Sequence, residues 1–385
     1  MKIAFLWCGS VTAGWSIGDG LANAFGKAGH QVLRIPRGRQ DCPAVTIQAL
    51  NVADVVVVSG PEHILHSAVK PGKGANLYAF GSEEITLYEW LHEVKPPKIF
   101  LYHESNRRED QNFGFEDYLR YGDYHFFPAV QDAETYDQEH FAKGRSFWLP
   151  FGVDTDVFKP LKCTRCTGNI LTGYDPGKIS PVTGLSGFTA KELQDGRQCP
   201  ACLGTGTQPS PKDIDVGFVG LMYPKRNQFI THLSQHMKQG RDPWVVIGNV
   251  QVLDMDGPAW TDQVLRLAQN YRRCKVFLNL PAYSELQVSK IAEVMACGTF
   301  ILTPMLEGAA ERNCNFQHAK ELAYYRPTNL PFLVQTLREF VERDQQREQI
   351  ALAGMAKVIE TQSLKVQVPE ILEKVKIETK KELVQ

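Results

Sequence analysis

Short runs of β-branched and aromatic residues alternate along this chain with stretches whose apolar positions recur every three or four residues. Ile3 to Trp7 predicts a first strand, Ile17 to Ala28 a helix ending at Gly29, and Gln31 to Ile35 the next strand. Asp54 to Ser59 holds four consecutive valines without polar alternation, which predicts a strand covered on both faces. Lys98 to Tyr102 and His125 to Phe127 continue the rhythm. It resumes at Asp213 to Gly220, a strand running into a glycine turn, followed by a helix over Asn227 to Lys238. Strands are then expected at Trp244 to Ile247, Val276 to Leu280 and Thr299 to Thr303, and mostly helix from Leu330 onward. Strands alternating with helices imply βαβ units and parallel sheets, so the fold class is α/β with two Rossmann-like domains.

Between the two series the rhythm stops, and Gly, Pro, Thr and paired cysteines take over. The expected division is an N-terminal domain over 1–160, an insert over 161–212, a C-terminal domain over 213–365 and a helical tail over 366–385. Inside the insert, Cys163-Thr164-Arg165-Cys166 and Cys199-Pro200-Ala201-Cys202 are each followed by glycine-rich turns. Two close cysteines chelate one tetrahedral ion, and two such knuckles complete a closed four-thiolate zinc site with no position left for water or substrate. Cys163, Cys166, Cys199 and Cys202 are therefore read as ligands of a structural Zn2+. The insert carries six Lys or Arg against three Asp or Glu, so it suits either contact with a large acceptor such as nucleic acid or a plain interdomain ornament. Cys8, Cys42, Cys274, Cys297 and Cys314 lack metal-ligand spacing and are expected to pack in cores.

At 385 residues, 43% hydrophobic and 22% charged, the chain is a normal globular mixture able to bury two cores. A net charge of -1 gives no global attraction to nucleic acid or to an anionic membrane. No uninterrupted apolar stretch reaches the roughly 18 residues of a spanning helix, and the first residues read as a strand with no cleavage site after it. Nine cysteines without a secretion signal favour reduced thiols and metal ligation, so the expected location is the cytoplasm.

The most informative stretch is Tyr283-Ser284-Glu285-Leu286-Gln287-Val288-Ser289-Lys290-Ile291-Ala292-Glu293-Val294-Met295-Ala296-Cys297-Gly298. It resembles the nucleotide-sugar segment of retaining glycosyltransferases of the GT-B fold, in which two glutamates separated by seven residues precede Ala-Met-Ala-x-Gly. Lys290 to Gly298 looks more specifically like the spore-maturation-type branch. Eight positions is a little over two helical turns, so both glutamates can lie near one cleft, with helix N-terminal amides between them to receive phosphate. The resemblance implies that Glu293, expected as a partly exposed cleft carboxylate, accepts the ribose hydroxyls of the donor. It also implies that Glu285 lies beside the transferred sugar, and that Leu286, Gln287, Val288 and Lys290 line the donor. An amphipathic helix with solvated glutamates and a surface lysine is the alternative reading of the same spacing.

Two further segments agree. Leu149-Pro150-Phe151-Gly152-Val153-Asp154-Thr155-Asp156-Val157-Phe158 resembles the stretch that ends the first domain in these transferases. Val219-Gly220-Leu221-Met222-Tyr223-Pro224-Lys225-Arg226 resembles the turn opening the second, whose basic residue holds the diphosphate; Arg226 is the closer match and Lys225 the second choice. In the first half, the glycine turn with Gly9 and Ser10 approaches the donor in the family, and His103, after a strand, contacts the sugar or acceptor there.

The resemblance thus implies a hexosyl- or pentosyltransferase moving a sugar from a nucleoside diphosphate donor to an acceptor hydroxyl, with His103, Glu285 and Arg226 as catalytic residues. Retention and independence of a catalytic metal are implied with it. Two alternatives stay open: a bacteriophage-type transferase acting on hydroxymethylated DNA bases, whose zinc insert contacts DNA, and a catalytically silent Rossmann-like protein whose zinc module binds a partner.

Overall fold

The computed structural model describes residues 1–7, 15–35, 43–62, 78–80, 83–85, 91–103, 119–138, 142–162, 207–208, 212–220, 224–237, 244–248, 258–280, 287–327 and 329–375. In the first domain β1 (Lys2–Trp7), α1 (Asp19–Lys27), β2 (Gln31–Ile35), α2 (Pro43–Asn51) and β3 (Val55–Ser59) follow one another. A small antiparallel pair, β4 (Tyr78–Phe80) and β5 (Glu83–Ile85), precedes β6 (Lys98–Leu101), β7 (Tyr124–Phe127), α3 (Val130–Tyr136) and β8 (Ser146–Trp148). The main sheet is parallel throughout, in the order β2-β1-β3-β6-β7-β8.

The valine run behaves as its pattern demands. Val56 and Val58 enter one buried layer with Leu50 of α2 and Tyr136 of α3, while Val55 and Val57 enter the opposite layer with Phe25 of α1. Both faces of β3 are covered, which is why alternation is missing from its sequence. Helix α1 starts at Asp19, later than the pattern suggests, because Trp15–Ile17 forms a separate 3-10 turn.

After β8 the chain crosses to the second domain through β9 (Leu161–Lys162), which pairs antiparallel with β10 (Thr207–Gln208). Then come β11 (Ile214–Gly220), α4 (Pro224–Met237), β12 (Trp244–Gly248), α5 (Pro258–Arg273), β13 (Cys274–Leu278), α6 (Ser289–Ala296), β14 (Phe300–Pro304), β15 (Ala323–Tyr325), α7 (Leu330–Glu342) and α8 (Asp344–Thr361). This sheet is also parallel, in the order β12-β11-β13-β14-β15. Two elements start two or more residues earlier than the sequence reading. Helix α4 begins three residues earlier than Asn227, because Pro224 is already suited to the first helical position; Lys225 and Arg226 therefore lie on its first turn. Strand β13 follows α5 with no loop, so it begins at Cys274 and not at Val276.

The last helix, α9 (Leu364–Val375), returns to the first domain. Leu364, Val368, Ile371 and Val375 are buried there among Ile3, Phe5, Phe25 and Phe126. Outgoing and returning chains run side by side: Val153 N donates to Gln362 O at 2.8 Å and Leu364 N to Val153 O at 3.0 Å. A Cβ on Gly152 would stand 2.5 Å from Leu364 Cδ2, so at this crossing glycine lets the side chains of Leu364 and Gln367 pack directly on the backbone. Of the cysteines expected in cores, Cys274 and Cys297 are buried and Cys314 is half-buried, while Cys8 and Cys42 fall outside the described residues.

Candidate functional site

In the second sheet β11 lies between β12 and β13, so the strand order reverses at β11/β13, and ligands of such sheets bind beyond the carboxyl ends of the strands at that point. Gly220 ends β11 there, and Leu280 follows β13. Two cations converge on this edge. Arg226, from the first turn of α4, donates from Nη2 to Leu280 O at 2.5 Å. Lys290, from the first turn of α6, donates from Nζ to Val219 O at 2.6 Å. Both lie over the buried Phe218 ring, with Arg226 Cζ 5.3 Å and Lys290 Nζ 5.6 Å from its centroid. A Cβ on Gly220 would meet Lys290 Nζ at 3.0 Å and Arg226 Nη1 at 3.2 Å, so glycine is what lets both cations approach the strand end. Burial pushes the Lys290 ammonium down to about 8, helped by the like charge of Arg226 and opposed by Glu293. Helix α6 begins after Val288 with no side-chain cap, so its first amides add partial positive charge at the same edge.

Glu293, one turn further along α6, is not the partly exposed carboxylate expected. It is 3% exposed. The 3-10 turn of the first domain covers it: Ser16 Oγ donates to Glu293 Oε1 at 3.0 Å, and the Ser16 amide also bonds the carboxylate. Burial pushes this carboxyl up to about 7, against the Ser16 hydrogen bonds and the Lys290 charge, with Asp154 adding to the rise. The turn is held in place by its own domain and by the linker. Ser59 Oγ donates to Ile17 O at 2.8 Å, Trp15 Nε1 donates to Asp154 Oδ2 at 2.8 Å, and Asp154 N donates to Ser16 Oγ at 3.3 Å. Asp154 thus explains the Gly-Val-Asp part of the linker motif, and Phe158 ends it buried 6.0 Å from Tyr271.

The other predicted residues are placed as follows. His103 is buried at the carboxyl edge of the first sheet, with Nε2 2.9 Å from Ser59 Oγ and its amide donating to Glu62 Oε1 at 2.6 Å. It borders a cavity shared with Phe151, Leu364 and Gln367. Gln287 is buried, and its Oε1 accepts from Asn315 N at 3.4 Å; Val288 is half-buried. Lys225 shares the first turn of α4 with Arg226. Gly9, Ser10, Glu285, Leu286 and the four cysteines Cys163, Cys166, Cys199 and Cys202 lie outside the described residues. Among the described residues no group of three or more His, Cys, Asp or Glu is arranged to hold a metal, and no helix is long and apolar enough to cross a membrane. Ser16 was missed by sequence reasoning, which stopped at the glycine turn; a serine three residues before an acidic helix start signals a cap, not a cross-domain donor.

A second contact between the domains lies near the Gln287 loop. Asn313 Oδ1 accepts from Val130 N at 2.8 Å and so caps α3, which has no cap of its own, and Arg312 pairs with Glu134. The domains therefore meet at Val130 and Asn313 as well as at Ser16 and Glu293.

Residues 226–373 match a family described as glycosyl transferase-like. No curated protein matches the chain in sequence. Among solved structures, Anabaena HepE in complex with UDP-glucose is similar at 14% identity and a TM-score of 0.57, over 97% of this chain and 99% of that one. A sucrose-phosphate synthase from Thermosynechococcus elongatus aligns at 14% identity and a TM-score of 0.54, over 97% and 98% of the two chains. An alpha-glucosyltransferase in complex with UDP-glucose and DNA containing an abasic site aligns at 11% identity and a TM-score of 0.52, over 96% and 98%. Aligned over 96% or more of its length with each of these structures, the chain has their two-domain Rossmann-like GT-B fold, and the larger part of its second domain resembles the glycosyl transferase-like family.

Proposed function

We propose that the protein is a glycosyltransferase that moves a sugar from a nucleoside diphosphate sugar to an acceptor hydroxyl, with retention and without a catalytic metal. The observation that carries this reading is the convergence of Arg226 and Lys290 on Gly220 at the switch point of the second sheet. Like charges do not gather at a half-buried edge without cost, and a diphosphate offsets it. As the sugar–phosphate bond breaks, negative charge grows on the diphosphate, and cations fixed in advance gain interaction at that moment. Glu293 accepts the ribose hydroxyls in this reading, Glu285 lies beside the sugar, and His103 faces the acceptor side. The glycosyl transferase-like match over 226–373 supports it, as does the likeness to HepE, which binds UDP-glucose. A mass-spectrometric screen of nucleotide sugars against hydroxyl acceptors tests it: a sugar-mass adduct with release of nucleoside diphosphate is expected, and nucleotide binding without any turnover would leave only a binding protein.

The two cations also set a pH dependence. Burial holds the Lys290 ammonium down to about 8. A bound diphosphate favours its protonated form, so binding takes up a proton above that pH. Donor affinity is expected to hold steady just below pH 8 and to fall by up to about tenfold per pH unit above it, as one linked proton requires. Titration calorimetry across pH 7–9.5 reads this, and Lys290→Arg should flatten the profile.

The second part of the proposal is a structural Zn2+ held by Cys163, Cys166, Cys199 and Cys202. Its support is the knuckle spacing together with the β9/β10 ribbon, whose Lys162↔Thr207 pairing brings the two ends of the cysteine-bearing segment together. Metal analysis of purified protein should give about one zinc per chain; a metal-free protein with four freely reactive thiols at these positions would end this part of the reading. A DNA acceptor is the second reading, supported by the likeness to the alpha-glucosyltransferase crystallised with DNA and by the insert's excess of Lys and Arg. In the acceptor screen it predicts sugar transfer to duplex DNA carrying hydroxymethylated bases.

A further inference from the structure

Glu293 cannot receive a ribose in the arrangement seen here, because the carboxylate is 3% exposed and already accepts from Ser16, itself 0% exposed. The donor of that bond belongs to the opposite domain. Ser59 fastens the Trp15–Ile17 turn to the first sheet, while Trp15 is bonded to the linker's Asp154 and packs in the core of the second domain, so Ser16 leaves Glu293 only if this turn gives up its seat between the domains. The Val153 to Gln362 and Leu364 hydrogen bonds tie the two crossing chains next to Asp154.

We propose that Ser16 is a latch: its hydroxyl and amide occupy the Glu293 carboxylate in place of the ribose hydroxyls, so that donor binding and this interdomain contact exclude each other. The proposal rests on the reading of Glu293 as the ribose acceptor. A hydroxyl and an amide donating to one carboxylate is the same chemistry that a vicinal diol offers, and a carboxylate only 3% exposed beneath Ser16 leaves no room for a ribose beside it. A donor must therefore compete with a contact that is always at hand, and its apparent affinity is the intrinsic one multiplied by the fraction of molecules in which the latch is open. The second contact between the domains, Asn313 to Val130, involves neither Ser16 nor Glu293.

UDP, ADP, GDP and dTDP are titrated in parallel against wild type and Ser16→Ala by calorimetry. The best binder is expected to bind Ser16→Ala about tenfold more tightly, since the competing hydroxyl is gone. Amide exchange on the wild-type protein is the second measurement and needs no variant. Saturating nucleotide should speed exchange at the Ser16 amide about tenfold while the β1 and β3 amides stay protected. Equal or weaker binding by Ser16→Ala, or slower exchange at Ser16 with nucleotide bound, overturns the latch and leaves the donor site standing. If none of the four nucleotides binds either protein, the donor-site reading fails and the latch with it.

Discussion

Arg226→Ala is expected to lower kcat/KM for the preferred nucleotide sugar by about a hundredfold, corresponding to about 3 kcal/mol of lost transition-state stabilisation. The guanidinium is held before any substrate arrives: Nη2 is fixed on Leu280 O and the group lies over Phe218, so no reorganisation is needed as charge develops on the diphosphate. Arg226→Lys should recover part of the loss, because it keeps the charge but loses the planar fork that can hold Leu280 O and a phosphate oxygen together. A second signature separates this role from a structural one. Arg226 is one of the groups pushing Lys290 down, so its removal should raise the Lys290 pKa above about 8 and move the alkaline loss of donor affinity to higher pH. Lys225→Ala, on the same helical turn, is the control. If it damages turnover and Arg226→Ala does not, the diphosphate is held by the other member of the pair.

The parts of this site that were legible from sequence are those set by local rules. Val55 to Val58 announced a strand covered on both faces; Gly152, Asp154 and Phe158 were read through the family resemblance, and each meets a demand at the linker: a close crossing, a turn that also bonds Trp15, and a buried ring. Arg226 and Lys290 were named singly, but their meeting over Phe218 depends on how α4 and α6 leave two different strands, which no local spacing encodes. The exposure of Glu293 was misjudged for the same reason. Its covering group, Ser16, is 277 residues away in sequence and belongs to the other domain. Charge and helical period say that Glu293 faces a cleft; what fills that cleft is a tertiary fact.

The tail shows the same limit on a larger scale, and its removal should have the largest effect on stability. Leu364, Val368, Ile371 and Val375 recur at helical spacing, so an apolar stripe was readable, while its partner was not. That partner is the first domain's sheet, more than two hundred residues earlier. Burying each aliphatic side chain is worth about 1.5–3 kcal/mol, so the four together contribute roughly 6–12 kcal/mol, an upper range because unfolded chains already hide some of this surface. A whole domain is typically stable by about 5–15 kcal/mol. Deleting residues 364–385 is therefore expected to unfold the first domain while the second sheet, whose core lies elsewhere, stays protected. Deleting only 376–385 controls for the loss of chain length. Hydrogen exchange reads both outcomes: β1 and β3 amides should exchange at unfolded rates in the longer deletion and remain protected in the shorter. Ile371→Ala should cost about 2–5 kcal/mol by the cavity it leaves, and Ile371→Asp more, since it buries a charge without a partner. If the longer deletion keeps β1 and β3 protected and melts within a few degrees of wild type, α9 is an accessory to the first domain and not part of its core.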